Sequence, residues 1–329
     1  ALREFMISND KVIVMGHKIS DVDSIGAGIG IYRAAKSLNK RAHIVVNNPT
    51  MSVRPIIESF RQNADYDEHM FINSEAAREI VDSNTVVVVV DTNKPSYTEC
   101  EELLQKTKTI VVLDHHRQGS EVIKNAVLSY IEPYASSTCE MVAEILQYFS
   151  DDIRIYNIEA DALYSGIMID TNNFTAKTGV RTFEAAAFLR RCGADVTRVR
   201  KMFRDDVKSY KAKAEAIRNV ETYKGSFAIS VCPSEGIDSP TVVASQAANE
   251  LLNVDSIRAS FVLTDYQNKI YISARAIDEV NVQIIMERLG GGGHINMAGA
   301  QLPGISVNEA IRQLKETLDK MMKEGDIEA

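Results

Sequence analysis

The sequence lacks the features that mark several large classes of protein. It has four cysteines among 329 residues and no Cys-x-x-Cys pair, so it indicates neither a disulfide framework nor a cysteine-bound zinc. Its longest aliphatic run, Val86 to Val90, is far shorter than the about 18 apolar residues of a membrane-spanning helix. We also expect no signal peptide. The 37 basic and 45 acidic residues give a net charge of −8, which argues against binding of long nucleic acid through charge alone.

The length predicts two domains. A single hydrophobic core rarely grows beyond about 250–300 residues, and this chain has 329. We predict a first domain at residues 1–205, a helical linker at 206–224 and a smaller domain at 225–329. The scattered cysteines fit a reducing, cytoplasmic setting. Because the chain starts at Ala1 in the middle of a pattern, we interpret it as a piece of a longer protein.

Short β-branched segments alternate with longer amphipathic segments in the first half, which is typical of βαβ units around a parallel sheet. The valine run at 86–90 has no polar alternation, as expected for a central strand covered on both faces. The second domain also mixes strands and helices, so the predicted fold class is α/β throughout. The predicted strands are Val12–Met15, Ala42–Val46, Thr85–Val90, Thr109–Leu113, Ser226–Val231, Ser260–Thr264 and Lys269–Ala274. The main predicted helices are Ser24–Leu38, one capped by residues 135–138 that ends at Phe149, Glu159–Met168, Asp206–Tyr223 and Val307–Lys323, and residues 182–221 look helical with Gly193 as the one interruption.

Acids and histidines follow three of the predicted strands. Ligands of open parallel sheets bind outside the carboxyl ends of the strands, so these side chains are expected to meet at one edge. A single Asp after a strand is usually a helix N-cap, and a single His is usually structural, but the whole set is hard to explain in that way. The residues are His17, Asp21 and Asp23 after the first strand, Asp91 after the valine run, Asp114, His115 and His116 after the next strand, and Asp170 after a predicted helix.

Four of these acids would repel one another strongly if they met without cations. Two divalent ions would cancel the charge, since four carboxylates at −1 and two ions at +2 sum to zero. Carboxylate and imidazole ligands suit manganese and similar ions better than copper or an iron–sulfur cluster. We therefore predict a dinuclear metal site that contains Asp21, Asp23, Asp91 and Asp170.

The same residues resemble the motifs of the DHH phosphoesterase superfamily, and the chain is similar to this family over nearly its whole length. The matching motifs are His17-x3-Asp21-x-Asp23, Asp91, Asp114-His115-His116, Asp170 and, for the accessory DHHA1 domain, Gly290-Gly291-Gly292-Gly293-His294. The stretches Tyr134–Thr138, Arg181–Phe183 and 273–283 narrow the resemblance to the catalytic modules of membrane-anchored cyclic-di-AMP phosphodiesterases. The resemblance implies an active site in the cleft between a DHH and a DHHA1 domain, and N-terminal membrane helices outside this chain.

The resemblance also implies how two Mn²⁺ ions would be held. The residues assigned to the first ion are His17, Asp21 and Asp91, and those assigned to the second are Asp23, Asp91, His115 and Asp170, so that Asp91 is shared. Asp114 would orient the neighbouring imidazoles, and His116 would face the phosphate, which makes Asp91, Asp114 and His116 the expected catalytic residues. Asn93 stands where this subfamily is expected to have His, so we assign that position no role.

The glycine run from Gly290 to Gly293 costs conformational entropy on folding, which favours a functional loop whose backbone approaches a phosphate or a base. We expect Gly292 to lie at the close approach and to have a positive φ; the structural alternative is a flexible turn. Upstream, Arg275 lies on the polar face of a strand, where it would hold a phosphate unless the strand is a solvated edge strand. The resemblance favours substrate binding by Arg275, Gly291, Gly292, Gly293 and His294.

These inferences together predict a Mn²⁺-dependent phosphodiesterase that hydrolyses cyclic di-AMP to linear pApA, with cyclic di-GMP and pApA as further candidate substrates. We expect no binding of long nucleic acid and no membrane contact by this part of the chain, and a homodimer is compatible with the resemblance. Three alternatives remain open: a nanoRNase or pAp phosphatase that acts on short linear nucleotides, a manganese pyrophosphatase, which should lack the 290–294 loop, and a nucleotide-binding sensor with a dead site. The complete ligand set argues against the sensor.

Overall fold

A computed structural model of the chain describes residues 1–204, 206–277 and 280–327. The chain divides into two compact units. The first unit is Ala1–Arg204, and the second consists of the described residues that follow it. Within the described residues, none of the helices combines the length and the apolar composition that crossing a membrane requires.

The first unit is built on a six-stranded parallel sheet with the strand order β3-β2-β1-β4-β5-β6. Its strands are β1 (Lys11–Met15), β2 (Arg41–Val45), β3 (Phe71–Ile72), β4 (Thr85–Val90), β5 (Thr109–Asp114) and β6 (Leu128–Ile131). Every residue of β4 is buried. Val86, Val88 and Val90 contribute to the core on one face of the sheet, and Val87 and Val89 to the core on the other, which explains why the run has no polar alternation.

Helices cover both faces of this sheet. They are α1 (Leu2–Ile7), α2 (Val22–Ser37), α3 (Arg54–Arg61), α4 (Ser74–Ile80), α5 (Thr138–Gln147), α6 (Asn157–Asp170), α7 (Val180–Arg191) and α8 (Val196–Met202), with short 3₁₀ helices at Pro95–Tyr97 and Glu101–Gln105. Asp21 caps α2, since its side chain accepts from the backbone N–H of Ser24, and Ser137 caps α5 through Glu140 N. Both caps lie at the carboxyl edge of the sheet and fix where these two helices begin.

The second unit contains a six-stranded mixed sheet with the order β11-β12-β10-β9-β8-β7, in which only the β8–β9 pair is parallel among the described strands. Its elements are α9 (Val207–Arg218), β7 (Glu221–Tyr223), β8 (Phe227–Val231), α10 (Pro240–Leu251), β9 (Ala259–Tyr266), β10 (Lys269–Ala276), α11 (Val282–Arg288), β11 (Gly292–His294), β12 (Met297–Pro303) and α12 (Val307–Glu324). Apolar side chains of α11 and α12 pack on one face of the sheet, and those of α9 and α10 pack on the other.

The predicted α/β class is confirmed, and the seven predicted strands exist with ends shifted by a few residues. Within the stretch predicted to be helical over 182–221, the interruption at Gly193 is confirmed, and α8 begins after its cap Asp195. The structure adds a second break after Met202, and Asp206 caps the helix that was predicted to start there. The predicted linker helix ends at Arg218, and Glu221–Tyr223 instead pairs with β8. Five strands were not predicted: β3, β6, β7, β11 and β12.

Candidate metal centre

Three neighbouring parallel strands bring the predicted site residues to one edge of the first sheet. Because β1, β4 and β5 are adjacent and run in the same direction, their carboxyl ends lie side by side. Asp91 follows β4 directly, and Asp114 is the last residue of β5. Asp170, the last residue of α6, reaches the same edge.

The structure brings all six predicted metal ligands together in two groups that meet at Asp91. His17 Nε2 lies 3.4 Å from Asp21 Oδ2 and 3.4 Å from Asp91 Oδ2. His115 Nε2 lies 3.5 Å from Asp91 Oδ1, 3.8 Å from Asp23 Oδ2 and 3.4 Å from Asp170 Oδ2. The two oxygens of Asp91 thus face different histidines. Three sets of side chains place their ligand atoms close enough together to hold an ion: His17 with Asp21 and Asp91, Asp23 with His115 and Asp170, and Asp91 with His115 and His116. Asp21 also uses its other oxygen to cap α2, so its capping role and its place in the cluster are compatible.

The backbone at Asp91 adopts φ = +61°, a left-handed conformation that a non-glycine residue rarely takes. Its N–H donates to the carbonyl of Leu113 at 2.9 Å, and its Oδ1 accepts from Thr138 Oγ1 at 3.0 Å. Backbone strain of this kind persists only where the surrounding structure enforces it, and it is concentrated at functional sites.

The buried carboxylates of the cluster repel one another unless positive charge lies between them. Burial and the charge of Asp91 raise the pKa of Asp23 to about 7. Burial and the neighbouring acids also raise the pKa of Asp170 well above its usual value. Burial alone would lower the pKa of His17 and of His115, but the surrounding carboxylates outweigh it and raise both to about 10. Without a metal, the cluster would therefore hold extra protons, and divalent cations would replace them.

One orphaned nitrogen supports the same conclusion. His115 Nδ1 donates to the backbone carbonyl of Ala135 at 3.4 Å, which leaves the lone pair on Nε2 in the neutral ring. His115 Nε2 is buried and has no hydrogen-bond partner, although carboxylate oxygens of three aspartates surround it. In the metal-free cluster a proton on Nε2 occupies this place, in keeping with the raised pKa of His115, and a metal ion would replace that proton, so the residues present fit a metal.

Asp114 and Asn93 hold His116. Asp114 is fully buried, and its Oδ1 accepts from Nδ1 of His116 at 2.8 Å and from the His116 backbone N–H at 3.0 Å. Asn93 Nδ2 donates to Asp114 Oδ2 at 2.6 Å. Of the two imidazoles that Asp114 was expected to orient, it contacts His116, whereas Ala135 holds His115. Burial lowers the pKa of His116, but the contacts with Asp114 and Asp91 outweigh this and raise it.

Sequence reasoning missed two contributors to the centre. Asn93 was left without a role, although its position two residues after Asp91 places it beside the neighbouring strand end. The start of α5 was read only as a helix cap, yet it holds Asp23: the N–H groups of Thr138 and Cys139 donate to the two oxygens of Asp23 at 2.7 and 2.8 Å. The capping pattern in the sequence predicted where α5 begins, but not that the first N–H groups of this helix bind the carboxylate of Asp23.

The glycine run lies in the second unit and is partly strand. Gly290 lies in a turn with φ = +76°, whereas Gly292 to His294 forms β11, which pairs with β12, so the run is not a turn throughout. A side chain at Gly291 would overlap the carbonyl of Gly299, and one at Gly293, where φ is +149°, would meet Ala298 Cα at 2.5 Å. Gly292 has no positive φ, contrary to expectation, and a methyl group there would find no protein atom within 4 Å.

Gly292 faces a pocket of about 560 Å³ that is lined by Thr241, Tyr271, Ser273, Gln301 and neighbouring backbone, including Gly290 and Gly291. Gly293, His294 and Arg275 lie outside this lining. The folded structure therefore explains glycine at 291 and 293, whereas at 292 it leaves open space on the pocket side.

Arg275 lies on β10, between β9 and β12, so the alternative of a solvated edge strand was wrong. Its guanidinium donates to the carbonyl of Ala274 and to the hydroxyl of Ser245, and its Nε is buried without a partner. Burial lowers the pKa of Arg275 to about 10. A buried guanidinium with a spare donor is suited to an anionic ligand.

Comparison with known proteins identifies two domains and several relatives. Residues 11–167 match the DHH family, N-terminal domain, and residues 224–324 match the DHHA1 domain. The chain is 44% identical over 331 residues to a cyclic-di-AMP phosphodiesterase, GdpP, of Bacillus subtilis, with 99% of this chain and 50% of that protein covered. It is 39% identical to a cyclic-di-AMP phosphodiesterase, PdeA, of Listeria monocytogenes, with 98% and 49% covered.

The chain thus spans about half the length of these curated relatives. Among solved structures, an exopolyphosphatase-related protein from Bacteroides fragilis superposes with a TM-score of 0.81 at 20% identity, with 97% of this chain and 94% of that chain covered. At this identity the likeness shows the common fold.

Proposed function

Since the chain belongs to the family that joins a DHH domain to a DHHA1 domain, we propose that it is a Mn²⁺-dependent phosphodiesterase that hydrolyses cyclic di-AMP to linear 5′-pApA. The observation that carries the proposal is the cluster of donor groups at the carboxyl edge of the first sheet, in which Asp91 groups with His17 and Asp21 and also lies 3.5 Å from His115, the histidine that groups with Asp23 and Asp170. The names of the Bacillus and Listeria relatives favour cyclic di-AMP as the substrate. In this proposal residues 1–205 are the metal-binding domain and 225–329 the substrate-binding domain. The proposed linker, 206–224, contains α9 and β7, which pack with the second unit.

Two ions are proposed, held by the residues that the structure groups around His17 and His115. The ligands of the first are His17, Asp21 and Asp91, and those of the second are Asp23, Asp91, His115 and Asp170. When bound, the ions would supply the positive charge that makes a water molecule nucleophilic near neutral pH and that neutralises the phosphate oxygens. Asp91 would serve both ions, which explains why the structure tolerates its strained backbone.

His116 is proposed to act on the leaving oxygen. In the hydrolysis, the water oxygen bonds to phosphorus while the P–O3′ bond breaks, so the phosphate stays on the 5′ side and the O3′ oxygen takes up a proton. Asp114 binds the Nδ1–H of His116 and helps to raise its pKa, which favours a second N–H at Nε2. That N–H can donate to O3′. Asp114 and Asn93 fix the orientation of the ring.

The second unit is proposed to hold the nucleotide. The backbone at Gly292 would lie against the ligand, because the protein leaves that side of the glycine open. Arg275 would provide a charge-assisted hydrogen bond to a phosphate through its unpartnered Nε. Gly291, Gly293 and His294 would shape the strand that presents Gly292.

Product chromatography tests the proposal. The purified chain, with Mn²⁺ and with EDTA as the control, is incubated with cyclic di-AMP, cyclic di-GMP, pApA, pAp and pyrophosphate. We expect Mn²⁺-dependent conversion of cyclic di-AMP to pApA. Preferential cleavage of pAp or pApA would instead indicate a phosphatase of short linear nucleotides, and binding of cyclic di-AMP without any hydrolysis would indicate a sensor. Either result would overturn the proposed function.

A further inference from the structure

One short segment, residues 135–139, contacts three of the proposed metal ligands. The carbonyl of Ala135 accepts from His115 Nδ1, the N–H groups of Thr138 and Cys139 donate to Asp23, and the hydroxyl of Thr138 donates to Asp91. The segment contains the N-cap of α5, so its backbone N–H groups are free to bind a carboxylate. A shift of the 135–139 segment would therefore disturb ligands of both proposed ions at once.

A buried carboxylate ties this segment to α7. Glu140 and Thr182 are each 1% exposed. Glu140 Oε2 accepts from Ser136 Oγ at 2.5 Å, from the Ser136 N–H at 3.3 Å and from Thr182 Oγ1 at 2.6 Å. Thr182 Oγ1 in turn accepts from the N–H of Gly179, just before α7 begins. The Thr182 hydroxyl thus links the N–H of Gly179, the N-cap of α7, to the Glu140 carboxylate that accepts from Ser136.

Hydroxyl and backbone donors make the short hydrogen bonds of this carboxylate, and its ion pair with a guanidinium is long. Arg181 Nε lies 4.0 Å from Glu140 Oε1, and the same guanidinium is engaged in shorter contacts with Glu144 and Glu132. A buried carboxylate that loses a hydrogen-bond donor pays a large desolvation penalty unless it moves to find another. Movement of Glu140 would carry Ser136 and the 135–139 segment with it.

We propose that Thr182 and Glu140 are positioning residues for the metal centre: the hydrogen bond from Thr182 to Glu140 fixes the 135–139 segment, and the segment fixes Asp23, Asp91 and His115. This inference rests on the proposed metal site and adds residues from α5 and α7 that touch none of the reacting atoms. It also gives a physical reason for the Ser-Ser-Thr and Arg-Thr stretches of the sequence, which supply Ser136, Thr138 and Thr182.

The test is Mn²⁺ binding, measured by titration calorimetry on the full chain after removal of bound metal. Thr182→Val keeps the shape of the side chain and removes the hydroxyl. We expect it to weaken Mn²⁺ binding by up to about 10-fold, the lower end of the range for a direct partner of a metal ligand, because Thr182 acts through Glu140 and Ser136. Thr182→Ser restores the hydroxyl and should restore binding. Ser136→Ala removes another donor to Glu140 and should weaken binding in the same direction.

Thr107→Val is the matched control. Thr107 is 6% exposed, donates to the carbonyl of Thr85 at 2.6 Å and accepts from the Thr109 N–H, so its hydroxyl is buried and bonded much like that of Thr182. Thr107 lies at the amino edge of the first unit's sheet, opposite the edge that carries the proposed metal site. Circular dichroism at the titration temperature verifies that each variant is folded. Normal Mn²⁺ binding by Thr182→Val, or an equal loss in Thr107→Val, would overturn the inference and leave the proposed function intact. Failure of the wild-type chain to bind Mn²⁺ would overturn the metal site itself.

Discussion

Comparison of Gly292→Ala with Gly291→Ala tests whether Gly292 is required for ligand binding, since the folded structure requires glycine at 291 but not at 292. At 292 the backbone φ suits any residue, and an added methyl group has no protein atom within 4 Å. At 291 the same methyl group would overlap the backbone carbonyl of Gly299 on β12. The two substitutions are chemically identical and adjacent, but the structure gives them different consequences.

The expected magnitudes follow from these environments. Gly292→Ala should leave the free energy of unfolding within about 0.5 kcal/mol of wild type, or raise it by up to about 1 kcal/mol, because alanine reduces the entropy of the unfolded chain. If the nucleotide lies against Gly292, the methyl group overpacks that contact, which costs about 1–3 kcal/mol. That range corresponds to a loss of kcat/KM of about 5- to 150-fold. Gly291→Ala should instead destabilise the second unit by about 1–3 kcal/mol.

The assay combines urea unfolding of each variant with steady-state kinetics on cyclic di-AMP and on a small generic phosphodiester that has no second nucleotide. For Gly292→Ala we expect wild-type stability, normal turnover of the generic ester and slow turnover of cyclic di-AMP. Wild-type kcat/KM on cyclic di-AMP would refute close approach of the ligand to Gly292. Equal losses on both substrates would show that the loop supports the fold or the metal centre.

Four further substitutions test the rest of the site. Asp91→Ala should abolish Mn²⁺-dependent turnover, because both donor groups lose a ligand, whereas Asp114→Asn should cost about 10–100-fold; two Mn²⁺ per chain and full activity in Asp91→Ala would contradict the shared ligand. Asn93→Leu removes a hydrogen bond to buried Asp114 and should lower kcat more than it raises KM, since His116 loses its orientation; an unchanged kcat would contradict that role. Arg275→Ala should lower kcat/KM on cyclic di-AMP by about 10- to 150-fold, the equivalent of about 1.5–3 kcal/mol for a charge-assisted hydrogen bond, with normal Mn²⁺ binding. An equal loss on the generic ester would contradict a role of Arg275 in substrate binding.

The parallel sheet was predictable because its central strands carry an unambiguous pattern. The valine run at 86–90 is buried on both faces, and its position next to Asp91 gave both the strand and the acid that ends it. Several other strands were not predictable. β3 has two residues, β6 is a half-buried edge strand, and β12 contains Gly299 and ends at Pro303, so none carries a strong strand signal.

Sequence patterns could not predict hydrogen bonds between side chains that lie far apart in the chain. Asn93 and Asp114 are 21 residues apart, and Thr182 and Glu140 are 42 residues apart. Strand order decides the first pair, and the packing of α7 against α5 decides the second. A motif read along the chain shows which residues can ligate a metal, but their supporting partners become visible only in the folded structure.

Asp91 shows how these levels combine at one residue. The sequence places an acid directly after a buried strand, and the parallel register between β4 and β5 brings it beside His115. The fold then holds Asp91 in a left-handed backbone conformation, with its two oxygens directed to different histidines. One of these oxygens, Oδ1, also accepts a hydrogen bond from Thr138. The histidines, in turn, hold the pKa of Asp91 below its usual range although burial alone would raise it. A carboxylate kept ionised in a buried site, with each oxygen facing a separate donor group, is the arrangement that a bridging metal ligand requires.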